Sequence, residues 1–283
     1  MSFVENQRVA QQRFSLLHQK KDQVILIHYS CESFYDSEDG RTPRITSIAC
    51  RNLGSAQTRS FSIHQVSELP KFSGVDAWDN YDNIEKELLD QFFAYVQEHV
   101  AHALWVHWNM RDINYGFQAI EHRYKVLGGT PTEIPDERKY DLARMFVARY
   151  GKRYADHPRL ESIMKINNIT DIGFLSGKDE AYAFKDRKFI ALHQSTLRKV
   201  DVISSLLEAE ISGHLKTNAK WWDVNGGSAR LVWEKYIWTP AGKAVSALLI
   251  ILALVEWYNP DAKHDFATWI KNIADNNTEN SSK

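Results

Sequence analysis

The chain has 283 residues, 43% of them apolar and 25% charged, enough for one large or two modest domains with a real core. Its formal net charge of −1 and isoelectric point near 6.8 exclude a globally cationic polyanion binder, so any nucleic-acid contact has to rest on a local basic face. The two cysteines, Cys31 and Cys50, fall in strand-like apolar runs; this argues against a disulfide framework and matches a reduced, cytoplasmic chain.

In chain order, residues 4–20 put Val9, Phe14 and Leu17 on one helical face and lack the apolar centre of a secretory signal. Three strands are predicted next, QVILIHY, RITSIACR and TRSFSIHQV, separated by the turn-forming stretches DSEDGRTP and NLGSAQ, a meander. A helix follows over YDNIEKELLDQFFAYVQEHVA, where Ile84, Leu88, Leu89, Phe92, Phe93 and Val96 form an apolar stripe. Then come the short apolar run HALWVHW and a helix over MRDINYGFQAIEHRYKVLGG, stopped by paired glycines. Further helices are expected over 138–150, 158–167 and 195–214, the last opened by Ser195 as N-cap. This order predicts an α/β fold with a mixed sheet flanked by helices. A main domain is expected over 1–215 and a tryptophan-rich helical region over 216–283, ending in the polar tail NNTENSSK.

Glu32 closes the first strand, in HYSCESF, and raises the question of partner carboxylates. With WVHWNMRDINYGF, RKYDLARMF and HQSTLRKVDVISSLL following in that order, the chain resembles the DEDD-type 3′–5′ exonucleases of the ribonuclease H-like superfamily over residues 22–210. The resemblance implies a ribonuclease H-like sheet and two divalent metals, Mg²⁺ or Mn²⁺, that activate water for phosphodiester hydrolysis. Carried over residue by residue, it makes Glu32, Asp112 and Asp201 the metal ligands and leaves Ser30 where the family has its first Asp. The first motif is thereby degenerate, and the site is expected to be impaired or atypical. His193 or His107 would assist proton transfer.

Read from the residues, His107, Asn109, Arg111 and Asp112 crowd a strand-to-helix junction, the kind of loop where α/β sheets build binding sites. Arg144 lies among interleaved cations and tyrosines in RKYDLARMFVARYGKRY, a pattern that can neutralise phosphates and stack bases of DNA or RNA. Arg198 and Lys199, in STLRK, would meet a phosphate at a helix start. The alternative is a non-catalytic interaction protein that keeps the fold and uses its C-terminal helix. The apolar centre of AGKAVSALLIILALVEWY is about a dozen residues, short of the ~20 a bilayer span needs, so a buried or homo-oligomer-forming helix is expected ahead of a membrane contact through residues 238–258.

Overall fold

The computed structural model describes residues 3–32, 42–111, 115–220, 224, 239–240, 242–247 and 250. The chain divides into two compact units, Met1–Val224 and Asn225–Lys283.

The first unit is α/β, with a five-stranded mixed sheet flanked by helices. Its strands are β1 (Val24–Cys31), β2 (Ile45–Asn52), β3 (Thr58–Ser62), β4 (Leu104–His107) and β5 (Lys139–Asp141). They lie in the order β3-β2-β1-β4-β5. The pairs β1–β2 and β2–β3 are antiparallel, whereas β1–β4 and β4–β5 are parallel. Every residue of β1 is buried, as a central strand covered on both faces requires. Ile25, Ile27, Tyr29 and Cys31 join the core beneath α3 (Tyr81–His99) and α4 (Phe117–Val126). Val24 and Leu26 join the opposite core with α1 (Phe3–Gln19), α5 (Leu142–Tyr150), α6 (Arg159–Ile166) and α8 (Phe189–Ile211). On that second face β1 turns polar toward its carboxyl end, at His28 and Ser30, both buried.

The helix over α3 carries the predicted stripe, with Ile84, Leu88, Leu89, Phe92, Phe93 and Val96 all buried. Elsewhere the local reading is corrected. The third predicted strand stops at Ser62, whose hydroxyl caps a short helix, α2 (Ile63–Ser67). The helix expected from Met110 starts only at Phe117, after Gly116, and the helix expected over 138–150 begins at Leu142, because Lys139–Asp141 pair with β4 as a strand. A helix not foreseen, α7 (Gly177–Lys185), is capped by Ser176. The last helix starts at Phe189 rather than Ser195. Phe189 sits against Trp78, Tyr81 and Phe184, an aromatic cluster that anchors the extra turn, so Ser195 is an interior, buried helix residue and not a cap.

In the second unit, Thr239 Oγ1 accepts from Gly242 N at 3.0 Å, an N-cap directly ahead of Pro240. Most of residues 238–258 lies outside the described residues; among the described residues no helix is long and apolar enough to cross a membrane.

Candidate functional site

The parallel strands β1, β4 and β5 all end at one edge of the sheet. β1 has an antiparallel neighbour on one side and a parallel one on the other, the kind of edge where open α/β sheets bind ligands. Two cavities open there. The first, about 230 Å³, lies at the end of β1 and is lined by Glu32, Arg44, Trp78, Tyr81, Asp82 and Arg123 among others.

Its geometry shows what Glu32 does. Glu32 N donates to Arg44 O at 2.8 Å, continuing the β1–β2 ladder by one bond. The two side chains then meet fork to fork, with Arg44 Nε to Glu32 Oε2 and Arg44 Nη2 to Glu32 Oε1, both 3.0 Å. The Arg44 guanidinium lies over the rings of Trp78, Tyr81 and Phe184 at 4.6, 5.0 and 4.9 Å. Behind it, α3 pins the start of β2. Tyr81 Oη donates to Ile45 O at 2.9 Å, and Glu85 Oε1 accepts from Ile45 N at 2.6 Å. Glu85 is fully buried and forked with Arg123, Nε at 3.0 Å and Nη2 at 2.5 Å from Oε2. Burial pushes the Glu85 carboxyl up to about 7 against the pull of Arg123.

The structure does not bring Glu32 and Asp201 together. Asp201 accepts from Arg198 Nη1 at 2.7 Å and lies 3.8 Å from Arg51 Nη2. Arg51 pairs with Leu26, near the opposite end of β1 from Glu32. Arg44 and Arg51 are roughly 20 Å apart along the strand, whereas ligand distances of about 2.0–2.6 Å hold the oxygens on one ion within about 5 Å of each other. Asp112 lies outside the described residues. Ser30 is fully buried and brings no charge. Among the described residues no three His, Cys, Asp or Glu side chains are grouped to hold a metal ion. The carboxylates present therefore do not fit an ion shared by Glu32 and Asp201.

The HQSTLRKVD segment lies within α8, with His193, Ser195, Thr196 and Lys199 buried. Thr196 Oγ1 and Ser47 Oγ are 2.5 Å apart, and Ser47 is the cross-strand partner of Ser30. Lys199 is buried, 2.8 Å from Glu180 Oε1, which also accepts from Ser195 Oγ. Arg198 donates to Thr170 O as well as to Asp201. Arg198 and Lys199 are thus mid-helix and committed, which corrects their placement at a phosphate-binding helix start. His193 lies beside His64, which follows β3, with 4.8 Å between ring centres and the rings tilted by 45°; burial depresses it to about 4, with His64 adding to the effect. His28 is held well below the usual imidazole range by burial and then by Lys199.

The second cavity, about 330 Å³, lies at the ends of β4 and β5. It is lined by Arg13, His107, Met110, Arg111, Phe117, Gln118, Asp136, Lys139, Asp141 and Arg144. Four cations thereby outnumber two carboxylates. Asp141 organises the site: its Oδ2 accepts from Arg111 Nη1 at 2.5 Å, and its Oδ1 from Asn109 N at 3.3 Å and from Arg144 N at 3.2 Å, capping α5. Asn109 takes a left-handed conformation, φ 59°, which turns Met110 N back onto His107 Nδ1 at 3.1 Å. With Nδ1 accepting, the remaining proton of a neutral His107 is on Nε2. Burial, reinforced by Arg111, Lys139 and Arg144 and opposed by Asp141, lowers His107 to about 4. No family model, curated protein or solved structure matches this chain.

Of the residues singled out by sequence, this second cavity collects His107, Arg111 and Arg144, with Asn109 shaping its rim. Lys139 belongs to the interleaved cations of RKYDLARMFVARYGKRY that the sequence also offers, whereas Arg13 and Asp141 were missed. Asp141 had a local signal, an Asp directly before an apolar helical stretch, but Arg13 arrives only through the packing of α1 on α5. The tyrosines interleaved with the cations are not exposed stacking surfaces: Tyr140 and Tyr154 are buried, and Tyr150 donates its hydroxyl to Glu210.

Proposed function

We propose that this chain engages nucleic acid on a ribonuclease H-like sheet, through the cationic cavity at the ends of β4 and β5, and that Glu32, Asp112 and Asp201 do not form a working hydrolytic centre. The meander β3-β2-β1 continued in parallel by β4 and β5 supports the finer fold description. The observation that carries the reading is the convergence of Arg13, Arg111, Lys139 and Arg144 around a neutral, buried His107. Arg111 and Lys139 are held in place by Asp141 and Asp136, at 2.5 and 2.9 Å. Arg13 and Arg144 are exposed and have no acceptor among the described residues. Such a site neutralises phosphates and releases their counterions on binding. The fork between Glu32 and Arg44 argues against hydrolysis, because an arginine already occupies the oxygens that a metal would need.

The test has two arms on the purified full chain. Fluorescence anisotropy with labelled single-stranded DNA and RNA should show binding that weakens steeply with salt. Incubation of the same strands with Mn²⁺ should leave their length unchanged. Absence of binding at 50 mM salt would overturn the nucleic-acid reading in favour of an interaction protein, and Mn²⁺-dependent shortening abolished by Glu32→Gln would overturn the non-hydrolytic part.

A further inference from the structure

The β4–β5 cavity has a depth and a charge that a mere basic surface lacks. At about 330 Å³ it is at the small end of organic-ligand pockets, which run from about 300 to 1,000 Å³, so it has room for one nucleotide rather than for a duplex. Its lining splits into a fixed part and a free part. The fixed part is His107, whose ring meets Phe117 edge-on at 5.4 Å, together with Lys139 over the Phe117 ring at 5.1 Å and Arg111 clamped by Asp141. The free part, with no acceptor among the described residues, is Arg13 and Arg144. The helices that carry them run antiparallel: Gln7 Nε2 donates to Arg149 O at 3.0 Å, and Phe14 stacks on Phe146 at 5.9 Å, which brings Arg13 to the amino end of α5 beside Arg144. The Arg144 amide is already taken by Asp141, so it is not a donor to a ligand at this end of α5.

The excess of two positive charges is the telling quantity. An internal phosphodiester carries a single negative charge, whereas a terminal phosphate monoester carries about −1.5 to −2 at neutral pH and three acceptor oxygens. Two uncommitted guanidinium forks match the second. His107 Nε2–H adds a neutral donor, which a phosphate oxygen accepts without the cost of burying another charge. The strain of Asn109, a non-glycine residue at positive φ, is spent on holding this donor and Asp141 in place.

Resting on the nucleic-acid reading above, we infer that this cavity is a binding site for a phosphorylated strand end: one terminal nucleotide enters beside His107 and Gln118, with its phosphate monoester between Arg13 and Arg144. The partner is a single strand whose last residue bears a terminal phosphate, and a free nucleoside monophosphate is its minimal mimic.

The experiment compares one labelled 12-nucleotide single strand in three forms, with 5′-phosphate, with 3′-phosphate and with hydroxyl at both ends, competed by nucleoside 5′- and 3′-monophosphates, by the nucleoside and by inorganic phosphate. One of the phosphorylated forms should bind about tenfold more tightly than the hydroxyl form, and its matching monophosphate should compete better than inorganic phosphate. The preference should vanish in Arg13→Glu and Arg144→Glu and persist in Arg59→Glu, an exposed site on β3. The milder Arg144→Gln, with an unchanged melting temperature, guards against misfolding. A matching rise in the His107 imidazole titration on adding the monophosphate, followed by nitrogen NMR, locates the site. Equal binding of all three strands overturns the inference and leaves the polyanion reading standing. Competition by inorganic phosphate as strong as by the nucleotide also overturns it, and no binding of any strand sinks both.

Discussion

Replacing Arg123 by Met removes the only cation forked to a fully buried carboxylate in the described structure, and its cost follows from that geometry. Glu85 has no exposed surface, and Arg123 supplies three contacts to it, two from Nε at 3.0 Å and one from Nη2 at 2.5 Å. Among the described residues the backbone N–H of Ile45 would be the sole donor left, at 2.6 Å. Breaking such a pair on one side leaves an uncompensated buried charge and costs about 3–5 kcal/mol, a large part of a domain's ~5–15 kcal/mol. The sign with pH is fixed by the direction of the shift. Burial already raises Glu85 above its unfolded range, and without Arg123 the folded pKa rises further. Stability tied to the protonated form is present below the unfolded pKa of about 4.5 and is lost as pH climbs through the folded one, so the variant's deficit should be smaller at pH 5 than at pH 8. Urea unfolding of the full chain at both pH values measures this, with Glu85→Leu/Arg123→Met recovering part of the loss. A single-variant cost under about 1 kcal/mol, or a deficit that grows on acidification, would refute the reasoning.

His107 is depressed to about 4 while an unfolded imidazole titrates near 6.5, so the unfolded chain binds more protons between those values and stability falls as pH drops through that window. His107→Phe should flatten the pH dependence by about 3 kcal/mol between pH 7 and 4, read from denaturant midpoints; an unchanged slope counts against a neutral, buried His107. Arg44→Met removes the fork to Glu32 and the three ring contacts, and should cost about 1–2 kcal/mol with a change in Trp78 fluorescence. Because the binding assigned here uses arginines, an excess of chelator should leave the affinity for single strands within twofold; a larger loss would point to an ion in the complex.

The parts of the fold carried by local pattern were legible. The uninterrupted apolar run of β1 and the stripe of α3 declare a covered strand and an amphipathic helix without help from the rest of the chain. β5 was not: three residues pair with β4 but sit inside RKYDLARMF, whose periodicity is helical, and so short a parallel strand has no local signature. Ser195 mimics an N-cap because serine before a mixed stretch is a helix start in isolation, while Phe189 gains enough aromatic contact to begin α8 earlier. The site was half legible for the same reason. His107, Asn109, Arg111 and Arg144 announce themselves at a strand end and a helix start. The Arg44 fork on Glu32 arises only when β2 pairs with β1, and Arg13 joins only when α1 packs on α5. Nothing along the chain marks either event.

The central assignment is that Arg13 and Arg144 meet phosphates. The most direct measurement is the salt dependence of single-strand affinity for the native chain and for Arg13→Glu/Arg144→Glu. Removing two phosphate contacts should lower the slope of log affinity against log salt by about 1.4, at ~0.7 per contact on single strands, and weaken binding at least tenfold at 100 mM salt. Equal slopes and equal affinities in the two proteins would contradict the account.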